Sequence, residues 1–79
     1  MKAKVFSKVG CPYCVNAKRV LNSKNIPFEE IMFDGVTVTK DSISKEVGRS
    51  ISTLPQILID GVYVGGYNEL VVFLDGNKK

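Results

Sequence analysis

The apolar positions of the chain change period several times, and each change marks an element. AKVFS (Ala3–Ser7) reads as a short strand bounded by Gly10. From Pro12 to about Lys24, Cys14, Ala17, Val20 and Leu21 follow helical spacing. Pro suits the first helical position, and Lys24–Asn25 ends the run. Phe28–Phe33, introduced by Pro27, alternates as a second strand. Thr39 to Gly48 reads as a short helix with Thr39 or Asp41 as N-cap. Gln56–Ile59 and Val62–Val64 flank Asp60–Gly61, a hairpin signal. Gly65–Gly66 then breaks the strand. Tyr67, Leu70, Val71 and Leu74 recur at i, i+3, i+4 and i+7, giving an amphipathic helix stopped by Gly76.

The predicted order is β-α-β-α-β-β-α. A helix joining the first two strands makes them parallel, with a right-handed crossover. The hairpin adds an antiparallel edge. The expectation is an α/β fold: one four-stranded mixed sheet with helices on its faces, in a single domain spanning residues 1–79.

Composition narrows the classes. The 44% apolar and 24% charged residues are ordinary for a soluble globular chain. No apolar run approaches the roughly 20 residues that span a bilayer, and the start of the chain lacks the apolar stretch of a signal peptide. The cytosol, where thiols stay reduced, is the expected compartment. The net charge of +3 is spread over scattered lysines, which gives nucleic acid no clustered surface. Lys78–Lys79 reads as a frayed tail.

The two cysteines, Cys11 and Cys14, sit in KVGCPYCVNAK (Lys8–Lys18). A bridge between them closes a very small loop and restrains the unfolded chain weakly. A tetrahedral zinc site needs about four ligands, and the chain has two cysteines and no histidine. A structural bridge and a shared zinc site are therefore the weaker readings, and a redox pair is the stronger one. Cys11 falls at the strand–helix junction, where free N–H groups and the helix dipole stabilise a thiolate. It is expected to be the exposed nucleophile, with Cys14 one turn inside the helix to resolve a mixed disulfide. Pro12 stiffens the turn, Tyr13 flanks the sulfur and Lys8 adds positive charge. Lys18, one turn after Cys14, reads more as part of a solvated face than as an addition to the local positive field. Phe6, Phe28, Phe33, Tyr63 and Phe73 read as core or sheet surface.

The CPYC motif with Lys8 three residues ahead resembles the dithiol glutaredoxins. STLPQILIDGVYVGGYNEL (Ser52–Leu70) resembles that family's T-V-P-Q-x-F-I-x-G-x-x-I-G-G-x-D-[DE]-L segment, so the likeness spans nearly the whole chain. A thioredoxin more typically carries W-C-G-P-C, and this chain has no tryptophan. The resemblance implies a thioredoxin-like fold and thiol–disulfide exchange driven by glutathione as co-substrate, with no metal and no bound cofactor. It assigns Cys11 as nucleophile and Cys14 as resolving thiol. It places Lys8, Tyr13, Thr53, Leu54, Pro55, Gly66, Tyr67 and Asn68 along glutathione, with Pro55 cis.

Gly66, Tyr67 and Asn68 match the segment that holds the γ-glutamyl end. The same residues also read as a plain strand-to-helix turn with Asn68 as cap. The family usually has aspartate where this chain has Asn68, and Glu69 next door offers the missing charge. Arg49 reads equally as a contact for the glycine carboxylate and as a solvated helix-end residue. The implied partners are glutathione and disulfide-bearing or glutathionylated proteins, ribonucleotide reductase among them, with the chain a monomer. The alternatives are a ribonucleotide reductase donor recharged by a thioredoxin-type reductase, and an iron–sulfur carrier. Pro12 and Cys14 argue against the carrier, whose motif is usually C-G-F-S.

Overall fold

A computed structural model describes residues 1–51 and 53–76. Its elements are β1 (Ala3–Ser7), α1 (Pro12–Ser23), β2 (Phe28–Met32), α2 (Lys40–Val47), β3 (Gln56–Ile59), β4 (Val62–Gly65) and α3 (Tyr67–Gly76). The strands form one sheet in the order β2-β1-β3-β4. β1 and β2 are parallel, while β3 runs antiparallel to both β1 and β4. This is the expected mixed sheet and the thioredoxin-like arrangement. The second strand stops at Met32, one residue short of the expected end, although the Phe33 N–H still donates to Ser7 O at 2.7 Å. Lys78 and Lys79, read as a tail, lie outside the described residues.

Local chemistry explains the element ends. Cys11 caps α1: its Sγ accepts from the Cys14 N–H at 3.2 Å, and Pro12 follows at the first helical position. At the other end Asn25 takes a left-handed φ of 57°. The Ile26 N–H reaches Leu21 O and the Asn25 N–H reaches Asn22 O, a Schellman closure. Thr39, not Asp41, caps α2. The Ser42 N–H donates to Thr39 Oγ1 and the Thr39 N–H donates to Ser42 Oγ, closing a capping box. The hairpin turns through Asp60 and Gly61, at φ 52° and 81°, as a primed turn demands.

Strand parity sorts the core into two faces. Val5, Ile57 and Ile59 point to one side and pack with Ala17 and Leu21 of α1 and Leu70 and Leu74 of α3. Phe6 and Leu58 point to the other side and pack with Ile43 and Val47 of α2. All four residues of β3 are buried because both faces of that strand are covered. The aromatic expectations hold for Phe6, Phe28, Phe33 and Tyr63, which belong to or pack on these clusters. Phe73 is 38% exposed and lies on the helix surface beside β4.

Lys18 departs from the solvated-face reading. Its Nζ donates to Glu30 Oε2 at 2.7 Å, and Ser7 Oγ donates to the same oxygen at 2.7 Å. The register explains the meeting. Glu30 pairs with Val5 and Met32 with Ser7, so Glu30, Met32 and Ser7 all face α1. The Lys18 hydrogen bond, then that of Ser7, hold the Glu30 carboxyl below its ordinary value of 4.5 against the cost of desolvation.

Leu21→Ala empties a fully buried position and is expected to cost about 2–5 kcal/mol in urea denaturation. The Glu30 carboxyl titrates lower in the folded than in the unfolded chain. Its stabilisation is therefore complete above about pH 4.5 and is lost as pH falls through the folded value. Accordingly, the stability lost between neutral pH and about pH 3 should be smaller in Glu30→Gln than in the natural chain, as read by denaturant titrations at each pH.

Candidate active site

The site forms where β1 feeds α1. Cys11 and Cys14 are joined in a disulfide with their Cα atoms 5.3 Å apart. That spacing follows from an extended N-cap residue followed by one helical turn. Cys14 is buried at 2% exposure. Cys11, expected to be the exposed partner, is only 7% exposed. The physical reason is its second neighbour: Sγ of Cys11 lies 3.8 Å from the Leu54 carbonyl oxygen, so the Thr53–Pro55 segment covers it on one side. The Leu54–Pro55 peptide is cis.

Two grooves border the disulfide. The first, about 340 Å³, is lined by Tyr13 from α1, Thr53, Leu54 and Pro55 from the segment before β3, and Gly66, Tyr67, Asn68 and Glu69 from the start of α3. Tyr13 and Tyr67 meet ring to ring, with centroids 5.8 Å apart. The second, about 480 Å³, is lined by both cysteines with Lys8, Pro12, Lys18, Glu30 and Met32 among others. Lys8 therefore belongs to the second groove, away from the other residues expected along glutathione.

At the start of α3 the N-cap is Gly66, whose carbonyl accepts from the Leu70 N–H at 2.9 Å. Asn68 sits inside the first turn, which corrects its reading as the cap. Glu69 folds back instead: its Oε1 accepts from the Gly66 N–H at 2.8 Å. Gly65 permits this fold-back. A Cβ there, at φ +128°, would fall 2.7 Å from the Glu69 Cβ. Arg49 does not line the first groove. Its guanidinium lies over the Tyr63 ring, 5.8 Å from the centroid, on the α2 side of the sheet.

Sequence reasoning passed over Gln56. It is 5% exposed, and its Nε2 donates to Thr53 O at 2.7 Å while its Oε1 accepts from the Tyr63 hydroxyl. One buried amide thus holds the Thr53–Pro55 segment in place opposite Cys11. The only sequence signal was its place right after Pro55 in the quoted segment. Among the described residues, no three His, Cys, Asp or Glu side chains come together as a metal site. None of the helices among them is long and apolar enough to cross a membrane.

A cysteine pair at a helix N-terminus faces a cis-proline segment on this sheet, and both the sequence and the fold match known proteins. The Glutaredoxin family model matches residues 3–64. The chain belongs to the glutaredoxin family. It is 39% identical over 66 residues to Glutaredoxin 3 of Escherichia coli K12, covering 84% of this chain and 77% of that protein. It is 28% identical over 82 residues to Glutaredoxin 1 of the same organism, covering 98% and 96%. The crystal structure of Glutaredoxin 1 from Francisella tularensis, complexed with cacodylate, superposes with a TM-score of 0.81 at 38% identity, covering 98% and 95%. The family is one of thiol–disulfide oxidoreductases, and Cys11–Cys14 is the redox pair of this member.

Gly65→Ala puts a side chain where Glu69 folds back and imposes a backbone conformation that alanine avoids. It is expected to lower stability by about 1–3 kcal/mol. It should also shift the Gly66 amide resonance as the contact with Glu69 is lost.

Proposed function

We propose that the chain is a glutathione-dependent disulfide reductase acting on protein disulfides and on glutathione mixed disulfides. The observation that carries this reading is the first groove, whose lining matches the residues expected along glutathione apart from Lys8. Its volume of about 340 Å³ suits a small peptide, since small-molecule sites run roughly 300–1,000 Å³.

The groove offers chemistry for each part of the tripeptide. A peptide disulfide-bonded to Cys11 lies beside the Leu54 backbone, which already borders the sulfur. The first N–H groups of α3 lack partners within the helix and receive the γ-glutamyl carboxylate. Asn68 brings no charge to the γ-glutamyl ammonium, and Glu69, in the same groove, supplies it. Tyr13 and Tyr67 form an aromatic wall. Thr53 and Pro55 complete the opposite side, with Gly66 admitting close backbone approach. Pro12 stiffens the turn that presents Cys11. Lys8 acts on the sulfur from the second groove, and Arg49 acts at most through Tyr63.

In the reaction, the Cys11 thiolate attacks a substrate disulfide. A bond forms from Cys11 Sγ to one substrate sulfur, and the other sulfur leaves as a thiolate that takes a proton from water. Cys14 then attacks Cys11 Sγ, releasing the reduced substrate and closing the Cys11–Cys14 bond. One glutathione opens that bond by attaching to Cys11. A second glutathione releases the first as oxidised glutathione and returns Cys11 to thiolate. Each cycle moves two electrons from two glutathiones to one disulfide, with no metal and no bound cofactor. We place this activity in a monomer of one domain, residues 1–79, working in a reducing cytosol. Ribonucleotide reductase is a candidate among its protein disulfides.

Cys11→Ser is expected to reduce both activities to background in a glutathione-coupled assay. Cys14→Ser should lose reduction of protein disulfides while keeping reduction of glutathione mixed disulfides, which needs only Cys11. Full activity in Cys11→Ser would overturn the assignment. Reduction by a thioredoxin-type flavoenzyme but not by glutathione would replace the glutathione reading.

A further inference from the structure

The second groove is left unexplained by the proposed reaction beyond Lys8, yet it gathers Lys18 and Glu30 as well beside the redox pair. Cys14 and Lys18 are four apart on α1. Side chains at that spacing share one helix face, with Cβ atoms about 5–6 Å apart. An ammonium there would favour a Cys14 thiolate. It does not stand alone. Glu30 reaches across from β2 to hold Lys18 Nζ at 2.7 Å, and buried Ser7 fastens the same carboxylate oxygen from β1. Three elements thus converge on one carboxylate beside the redox pair. On the remaining side of α1, α3 places Tyr67 against Tyr13 and its Glu69 in the first groove.

We propose that Glu30 is a positioning residue for the resolving step: by pairing with Lys18 it cancels the positive charge one turn from Cys14 and keeps that sulfur a thiol. The two cysteines are thereby made unequal. Cys11 has the helix N-terminus, Cys14 has a neutralised ion pair. The consequence falls on the mixed disulfide of Cys11 with glutathione, and to that extent it rests on the function proposed above. Closure requires Cys14 to lose its proton to solvent and attack Cys11 Sγ, with glutathione leaving as a thiolate. A protonated Cys14 slows closure and lengthens the life of the mixed disulfide. A second glutathione then has time to discharge it, so Glu30 favours the one-cysteine route over the two-cysteine route.

The test follows the Cys14 Cβ carbon resonance against pH in Cys11→Ser. That variant needs no glutathione. Adding Glu30→Gln frees the Lys18 charge and is expected to lower the Cys14 midpoint by about half a unit, roughly threefold more thiolate at a given pH below it. Adding Lys18→Gln to that protein should restore the midpoint. In the two-cysteine protein carrying glutathione on Cys11, Glu30→Gln should speed closure by about twofold near neutral pH, the gain in thiolate being partly offset by its lower nucleophilicity. Amide spectra of each variant report whether the fold is kept. Lys18→Gln alone, which leaves the Glu30 charge unpaired, provides a second route if Glu30→Gln does not fold: its midpoint should rise above the Cys11→Ser value. An unmoved or raised midpoint in folded Glu30→Gln overturns the proposal, as does an unmoved or lowered midpoint in folded Lys18→Gln. A lowered midpoint without faster closure overturns the role in resolution. If Cys11 never takes up glutathione, the function proposed above fails, and the midpoints still decide the effect of Glu30.

Discussion

The structure turns on the capping of α1 by a sulfur. Every helix leaves its first N–H groups without partners inside the helix, and here Cys11 Sγ accepts one of them from Cys14 at 3.2 Å. The group that completes the helix is therefore the group that reacts. The N-terminal dipole of α1 already places positive potential at the sulfur. Pro12 suits this junction since its position needs no N–H donor. The same turn sets the reach of Cys14, which lies close enough to bond with its partner without any other movement of the backbone.

The sheet supplies what the helix lacks. β3 is covered on both faces and runs beside β1, which delivers the Thr53–Pro55 segment opposite Cys11. Gln56 locks that segment by bonding Thr53 on one side and Tyr63 of β4 on the other. α3 follows β4 directly, and the fold-back of Glu69 onto Gly66 shapes its first turn. The first groove is the space left between these three locally determined pieces. Edge strand β2 plays the corresponding part for the second groove, carrying Glu30 and Met32 toward α1.

Much of this was legible in the residues because it depends on neighbours within a turn or two. The Asp60–Gly61 hairpin, the capped start at Thr39, the proline opening α1 and the end at Asn25 are all short-range effects, and each stands where the pattern put it. The choice of Thr39 over Asp41 needed the reciprocal bonds with Ser42. The alternative reading of Asn68 as a cap fails because glycine carries no side chain to announce the role, and Gly66 fills it through its backbone. The quoted Ser52–Leu70 segment named almost the whole first groove, since a likeness of motif carries the geometry of relatives with it.

Taken alone, the sequence determined the elements, their order, the mixed sheet and the reactive pair, because hydrophobic period, turn residues and helix caps act over a few residues. Only the tertiary structure decided which face each side chain met. The parallel register of β1 and β2 brought Glu30 to Lys18, twelve residues away, and turned a supposedly solvated lysine into half of an ion pair. The packing of the Leu54 carbonyl against Cys11 made the nucleophile far less exposed than its place in the chain suggests. Such contacts depend on strand register and on loops crossing from distant elements, and no local periodicity encodes them.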